Sequence, residues 1–203
     1  MPQFLRSALL LPLSALLLLG CKKEEEAPVE PVVPLAVGNS WTYKVTNYAP
    51  WGPATDSLTF TRSVVKDTII SKGQWFITND RLIVRNDADG YVIYMRGSKE
   101  SNILYSRTRN NIMYGYDYPN YRLWVQSLKN ETLEPVPQSA AGYSAYRYDI
   151  SYQYEFTGVS TPSVQKRQAY VTPGVGLVRE VRYYRDQPTQ LQQRTELLSY
   201  HLH

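Results

Sequence analysis

The sequence predicts an all-β fold, an antiparallel meander forming a strongly curved sheet, a barrel or a half-barrel. Three observations predict it. Apolar and polar residues alternate with a period of two along most of the chain. Glycine, proline, asparagine and aspartate punctuate that alternation at short intervals, as local hairpin turns require. Tyrosine outnumbers phenylalanine 18 to 4, and its ring suits a half-buried strand face, packing while the hydroxyl stays wet.

The elements follow in order. After the Gly38-Asn39 turn signal, Trp41, Tyr43 and Val45 alternate with Thr42, Lys44 and Thr46. Leu58 and Phe60 alternate with Thr59 and Thr61. Ser71-Lys72-Gly73-Gln74 joins Ile69-Ile70 to Trp75-Phe76-Ile77 as a hairpin. Asn86-Asp87-Ala88-Asp89-Gly90 joins Leu82-Ile83-Val84 to Tyr91-Val92-Ile93-Tyr94 as another. Ile103-Leu104-Tyr105 makes a further strand and Leu123-Trp124-Val125 a short one. A loop through Pro135 and Pro137 precedes the clearest strand, 146–156, YRYDISYQYEF. There Tyr146, Tyr148, Ile150, Tyr152, Tyr154 and Phe156 fall on one face, with Arg147, Asp149, Ser151, Gln153 and Glu155 on the other. Ala169-Tyr170-Val171 leads through Pro173-Gly174-Val175-Gly176 into residues 177–184. Pro188 is expected to turn the chain again before a last strand at 197–202. Residues 190–198 are the single helix candidate, and the alternation of Leu198, Tyr200 and Leu202 argues for strand.

Residues 35–203 are long enough for one domain with a sizeable core. The preceding residues read differently. Arg6 is the only charged side chain before Cys21, and an apolar run spans 8–19, broken by Pro12 and Ser14. Twelve helical residues rise about 18 Å, short of the roughly 30 Å of a bilayer core. With the small Gly20 at its end, residues 1–20 are expected to be a secretory signal. Leu18-Leu19-Gly20-Cys21 resembles the lipobox of bacterial lipoproteins, which implies cleavage between Gly20 and Cys21 and acylation of the Cys21 thiol, although Leu19 stands where a smaller residue is commoner. Cys21 is the only cysteine, so no disulfide staples the fold.

Lys22-Lys23-Glu24-Glu25 resembles the basic-then-acidic export tag of surface lipoproteins in one lineage of Gram-negative bacteria; a charged tether that keeps the domain off the bilayer is the plainer alternative. Pro28, Pro31 and Pro34 recur every third residue, so residues 21–34 read as a lipidated cysteine followed by a polyproline II spacer. The expected location is the cell envelope, anchored by lipid in the outer membrane, with the outer face favoured over the periplasmic one.

Setting aside Arg6, Lys22, Lys23, Glu24, Glu25, Glu26 and Glu30 leaves 19 basic and 14 acidic residues, with no dense Lys/Arg block. Nucleic acid is a poor fit to that pattern, and the charges read as solvated strand faces. The motif-like stretches carry little chemistry. The 86–90 stretch fails as a calcium loop, because an EF-hand register puts Arg85 and Arg96 where anions must sit. His201 and His203 would share a strand face, but no third histidine exists to complete a metal site or a triad. Gly174-Val175-Gly176 lacks the third glycine and following helix of a dinucleotide loop. No cofactor, metal site or catalytic constellation is recognised. Asp56-Ser57-Leu58 and Asp67-Thr68-Ile69 resemble an O-glycan acceptor of the same lineage, and both also read as strand starts.

PLAVGNSWTY at 34–43 and YVTPGVGLVRE at 170–180 resemble the opening and closing signatures of uncharacterised secreted bacterial lipoproteins. The resemblance implies architecture and export, and no activity. The sequence is therefore read as a surface-exposed lipoprotein that serves as a non-catalytic binding or accessory module, with a glycan, lipid or envelope protein as partner. Tyr148, Tyr152, Tyr154, Trp41 and Trp124 are its candidate ligand face, with core packing the favoured reading for each tryptophan. Two other readings stand beside it: a periplasm-facing carrier or sensor of a hydrophobic ligand in a curved β-sheet, and, least favoured, a hydrolase.

Overall fold

The structure, a computed structural model, describes residues 30–139 and 141–203. The expected signal segment, the Gly20–Cys21 cleavage and lipidation site and the tag at Lys22, Lys23, Glu24 and Glu25 lie outside the described residues.

Thirteen strands and no helix occur among the described residues. The first half of the chain gives β1 (Ser40–Tyr48), β2 (Ala54–Ile70), β3 (Gly73–Thr78), β4 (Ile83–Asp87), β5 (Gly90–Met95) and β6 (Glu100–Ser106). Next come β7 (Asn111–Tyr118), β8 (Tyr121–Lys129) and the two-residue β9 (Glu134–Pro135). The chain finishes with β10 (Ser144–Phe156), β11 (Ser163–Thr172), β12 (Gly176–Tyr184) and β13 (Gln187–His201). Every pairing is antiparallel, in the order β6-β5-β4-β3-β2-β1-β13-β12-β11-β10-β8-β7, with β9 beside β10. The chain thus builds outward in both directions from the β1–β13 pair, and curvature brings the two end strands, β6 and β7, next to each other. The sheet is a nearly closed barrel. The seam is bridged by side chains: Asn102 on β6 donates to the Tyr116 hydroxyl on β7, and Tyr148 on β10 donates its hydroxyl to the Ser106 carbonyl oxygen, 2.6 Å away.

Turn chemistry explains the hairpins. Ser71 and Lys72 both have positive φ, 49° and 66°, as a two-residue turn needs if its twist is to match the strands. At the β4–β5 turn, the Asp87 carboxylate accepts from the backbone N–H groups of Asp89 and Gly90. A side chain on Gly90 (φ 146°) would collide with the Tyr105 carbonyl on β6.

Three sequence expectations are corrected. Pro188 does not turn the chain; it is the second residue of β13, and Arg185-Asp186 makes the turn, with Asp186 at φ 60°. Its carboxylate accepts from Ser163 Oγ and the Val164 N–H, which hold its pKa below the usual range. Strand β7 was not expected, because Gly115 interrupts its pattern; the gap is filled by the Trp124 ring from β8, which a Cβ on Gly115 would meet at 2.7 Å. The end of the proline-rich stretch is not free spacer. Val32 and Val33 are buried in the core, and Val33 exchanges hydrogen bonds with the Asn86 side chain.

The main core fills one end of the barrel, where Val33, Trp41, Val84, Tyr91, Tyr105, Tyr148 and Val171 pack together. Outside the barrel, Trp75, Ile83 and Val92 form a second cluster on the opposite face of β3–β5. Val136, Ala145, Tyr170 and Val178 form a third.

Candidate ligand-binding cavity

Period-two alternation sends one face of each strand inward, and the barrel is too wide for those side chains to fill it. A cavity of about 620 Å3 remains. Leu58, Phe60, Leu82, Ile93, Leu104, Leu123 and Val125 line its apolar wall, and Tyr43, Tyr105, Tyr114, Tyr116 and Tyr152 add rings. The main core closes one end, and the mouth opens at the other, past Met95, the half-exposed Leu58 and Tyr118. A recess of about 250 Å3 adjoins it, lined by Tyr152, Tyr154, Gln165, Arg167 and Arg182. Residues 30–33 lie at the closed end: Pro31 O accepts from Gly174 N and Glu30 O from Arg107.

Charge enters this interior in two places. Near the closed end the Arg62 guanidinium meets the Asp80 carboxylate at 2.7 and 2.9 Å. Burial alone would raise the Asp80 pKa, but hydrogen bonds from Arg62 and Thr78 outweigh it and hold the group below the ordinary carboxylate range. On the β11–β12 wall, Arg167 and Arg182 are direct cross-strand partners. Like charges so placed repel, and Glu180 lies between them, at 3.4 Å from Arg167 Nη1 and 3.2 Å from Arg182 Nη2. Arg167 and Glu180 are nearly enclosed, their side chains 12% and 11% exposed, while Arg182 reaches further out at 41%. Burial opposes the Arg167 charge, and Glu180 with the neighbouring phenols more than offsets this, leaving its pKa above the ordinary value. The Nε and Nη2 atoms of Arg167 are buried without a hydrogen-bond partner.

The tyrosines around the cavity are neutral donors. Burial pushes the Tyr91 phenol up to about 12 and the Tyr43, Tyr105, Tyr114 and Tyr148 phenols up as well. The arrangement can enclose an apolar chain and offer one uncompensated cation to it.

The structure separates the sequence-selected face. Tyr152 lines the cavity and Tyr154 its side recess. Tyr148 is 2% exposed and serves the seam. Trp41, also 2% exposed, donates Nε1–H to Val175 O in the closed end, so it is a core residue. Trp124 lies outside the barrel over Gly115, with Arg122 stacked on its ring. Of the other tryptophans, Trp75 is buried, and Trp51 is 77% exposed in the β1–β2 connection. Ser57 is exposed and Thr68 half-buried, both within β2. His201 and His203 meet edge to face at 4.6 Å, at the end of β13. Among the described residues, no three His, Cys, Asp or Glu side chains converge on a metal-binding position.

Arg167, Glu180 and Arg182 were not singled out by the sequence reading, which placed strand charges in water. Parity alone finds Arg167, since it shares a face with Ala169 and Val171. A bulge opposite Tyr170 and Val171 shifts β12 by one residue, so that Leu177 and Glu180 both face inward.

No protein-family model matches the chain, and no curated protein matches it. Among solved structures, a putative lipoprotein from Parabacteroides distasonis is similar at 13% identity and TM-score 0.45, over 86% of this chain and all of the other. A putative exported protein with YmcC-like fold from Bacteroides fragilis is similar at the same identity and TM-score, over 85% of this chain and all of the other.

Proposed function

We propose that this chain is a lipid-anchored lipoprotein of the outer membrane that holds a hydrophobic ligand inside its barrel, as a carrier or sensor without catalytic activity. The interior cavity carries this reading. Its volume, about 620 Å3, lies within the roughly 300–1,000 Å3 of small-molecule sites, and its wall is aliphatic and aromatic. A surface module built on Trp41 and Tyr148 is the weaker reading, because both side chains are buried. The apolar run ending at Cys21 supports the anchor, and Lys22, Lys23, Glu24 and Glu25 support export to the outer face. The membrane is then a partner through the lipid. Residue 30, where the described chain begins, sits at the closed end, away from the mouth.

Native mass spectrometry of the chain purified from its own membrane tests the ligand. The expected result is an adduct that organic extraction removes; a bare mass together with no uptake of a neutral apolar fluorophore would sink the reading. Protease treatment of intact cells, with Cys21→Ala as control, tests the location separately. Digestion is expected from outside, and protection until the outer membrane is breached would put the domain in the periplasm.

A further inference from the structure

We infer that the interior ligand is an amphiphile with a single negative charge, its head held by Arg167 and Arg182 and its hydrocarbon laid against Leu82, Ile93 and Leu104. This rests on the reading that the cavity holds a hydrophobic ligand, and it specifies the polar end of that ligand.

The charge count sets the valence. Two guanidiniums face one carboxylate on the β11–β12 wall, leaving one net positive charge there, nearly enclosed at Arg167 and 41% exposed at Arg182. An isolated buried cation is costly unless it is paired and hydrogen-bonded. The other interior arginine shows what a settled pair looks like here, since Arg62 meets Asp80 at 2.7 and 2.9 Å. Arg167 is not settled in that way. Its one ion pair is the 3.4 Å approach to Glu180, its guanidinium stands over the Tyr152 ring at 5.6 Å, and its Nε and Nη2 donors are buried without a hydrogen-bond partner. A planar guanidinium presents adjacent donors that a carboxylate accepts in pairs.

Position agrees with charge. Arg167 and Arg182 stand side by side on neighbouring strands, Arg167 the more enclosed and Arg182 the more exposed, so an anion can lie across both. Strands β11 and β12 lie six places along the twelve-strand path from β4 and β5, respectively. A head on Arg167 therefore directs its chain across the barrel onto Leu82, Ile93 and Leu104, which also line the cavity. A free fatty acid and a singly charged phospholipid share this chemistry.

The test uses cis-parinaric acid, a fluorescent fatty acid, and its methyl ester, which keeps the chain and removes the charge. Both are titrated into the full chain carrying Cys21→Ser and into the same chain with Arg167→Met. The acid is expected to bind at least about tenfold more tightly than the ester, the worth of one or two charge-assisted hydrogen bonds. Arg167→Met is expected to erase that preference, so that acid and ester bind alike. Arg182→Met should weaken the acid less, and circular dichroism confirms that each variant is folded. Equal binding of acid and ester to the unmutated barrel would overturn the anion inference while leaving the cavity reading intact. Binding of neither would overturn both. Displacement of the bound acid by laurate identifies the free fatty acid as the source, and displacement only by phosphatidylglycerol vesicles identifies the phospholipid.

Discussion

Trp41 donates its indole N–H to the backbone carbonyl of Val175, 2.7 Å away across 134 residues of sequence. Two residues further along the chain on each side, the Tyr43 hydroxyl donates to the Leu177 carbonyl at 3.2 Å. The two signatures near the ends of the domain are thus one structural unit. They tie the first strand to the β11–β12 turn, and Val33 packs beside Gly176 at the same place. Trp41→Phe keeps a ring but leaves a partly buried carbonyl without its donor, which costs about 1 kcal/mol. Urea unfolding should show that loss at the midpoint with an unchanged slope. An unchanged midpoint would mean that the indole bond contributes nothing to closing the barrel.

Glu180 separates two arginines, and the three side chains respond unequally to removal. Glu180→Gln leaves both guanidiniums unneutralised in the interior and is expected to cost about 3–5 kcal/mol. Arg167→Met leaves Glu180 with Arg182 and removes donors that have no partner, so stability should stay near that of the unmutated chain. Thermal unfolding of the two variants side by side checks the order. A larger loss for Arg167→Met than for Glu180→Gln would show that Arg167 is a stabilising ion-pair member and not a group kept free for a ligand.

The buried phenols predict how stability changes in alkali. Burial raises Tyr91 to about 12 and moves Tyr43, Tyr105 and Tyr148 upward too. A phenol with a raised folded-state pKa keeps a proton that the unfolded chain releases. Its contribution is complete below the unfolded value of about 10 and is lost as pH rises through the folded value. Unfolding midpoints should hold up to about pH 10 and fall beyond it, with the tyrosinate absorbance of these rings appearing together with loss of the β signal. Tyrosinate from all of them in a chain still folded would contradict the burial described here.

Much of this fold is legible in the sequence because alternation and turn residues report local geometry. The strand centred on Ile150 and the hairpins at Ser71-Lys72 and Asp87–Gly90 follow directly from it. β7 is not legible, because Gly115 is explained only by Trp124 on the neighbouring strand. The burial of Val32 and Val33 is likewise decided by Asn86, 53 residues away from Val33. The cavity was visible as an inward tyrosine face at Tyr152 and Tyr154, but its charged wall was not. Inward and outward positions look alike until the path of the sheet is known, and the β12 bulge breaks the parity that would have joined Glu180 to Leu177.

On the proposed function, the barrel interior is a binding site and not a loosely filled core. Leu123→Trp distinguishes the two, since Leu123 lines the cavity on β8. An indole there grows into open space, at less cost than overpacking a filled core. The measurement is titration of the full chain carrying Cys21→Ser, with and without Leu123→Trp, with the neutral fluorophore N-phenyl-1-naphthylamine. One molecule is expected to bind per barrel, with affinity weakened by about tenfold or more in the tryptophan variant and the β signal unchanged. No binding to the parent chain, or equal binding to both, would contradict it.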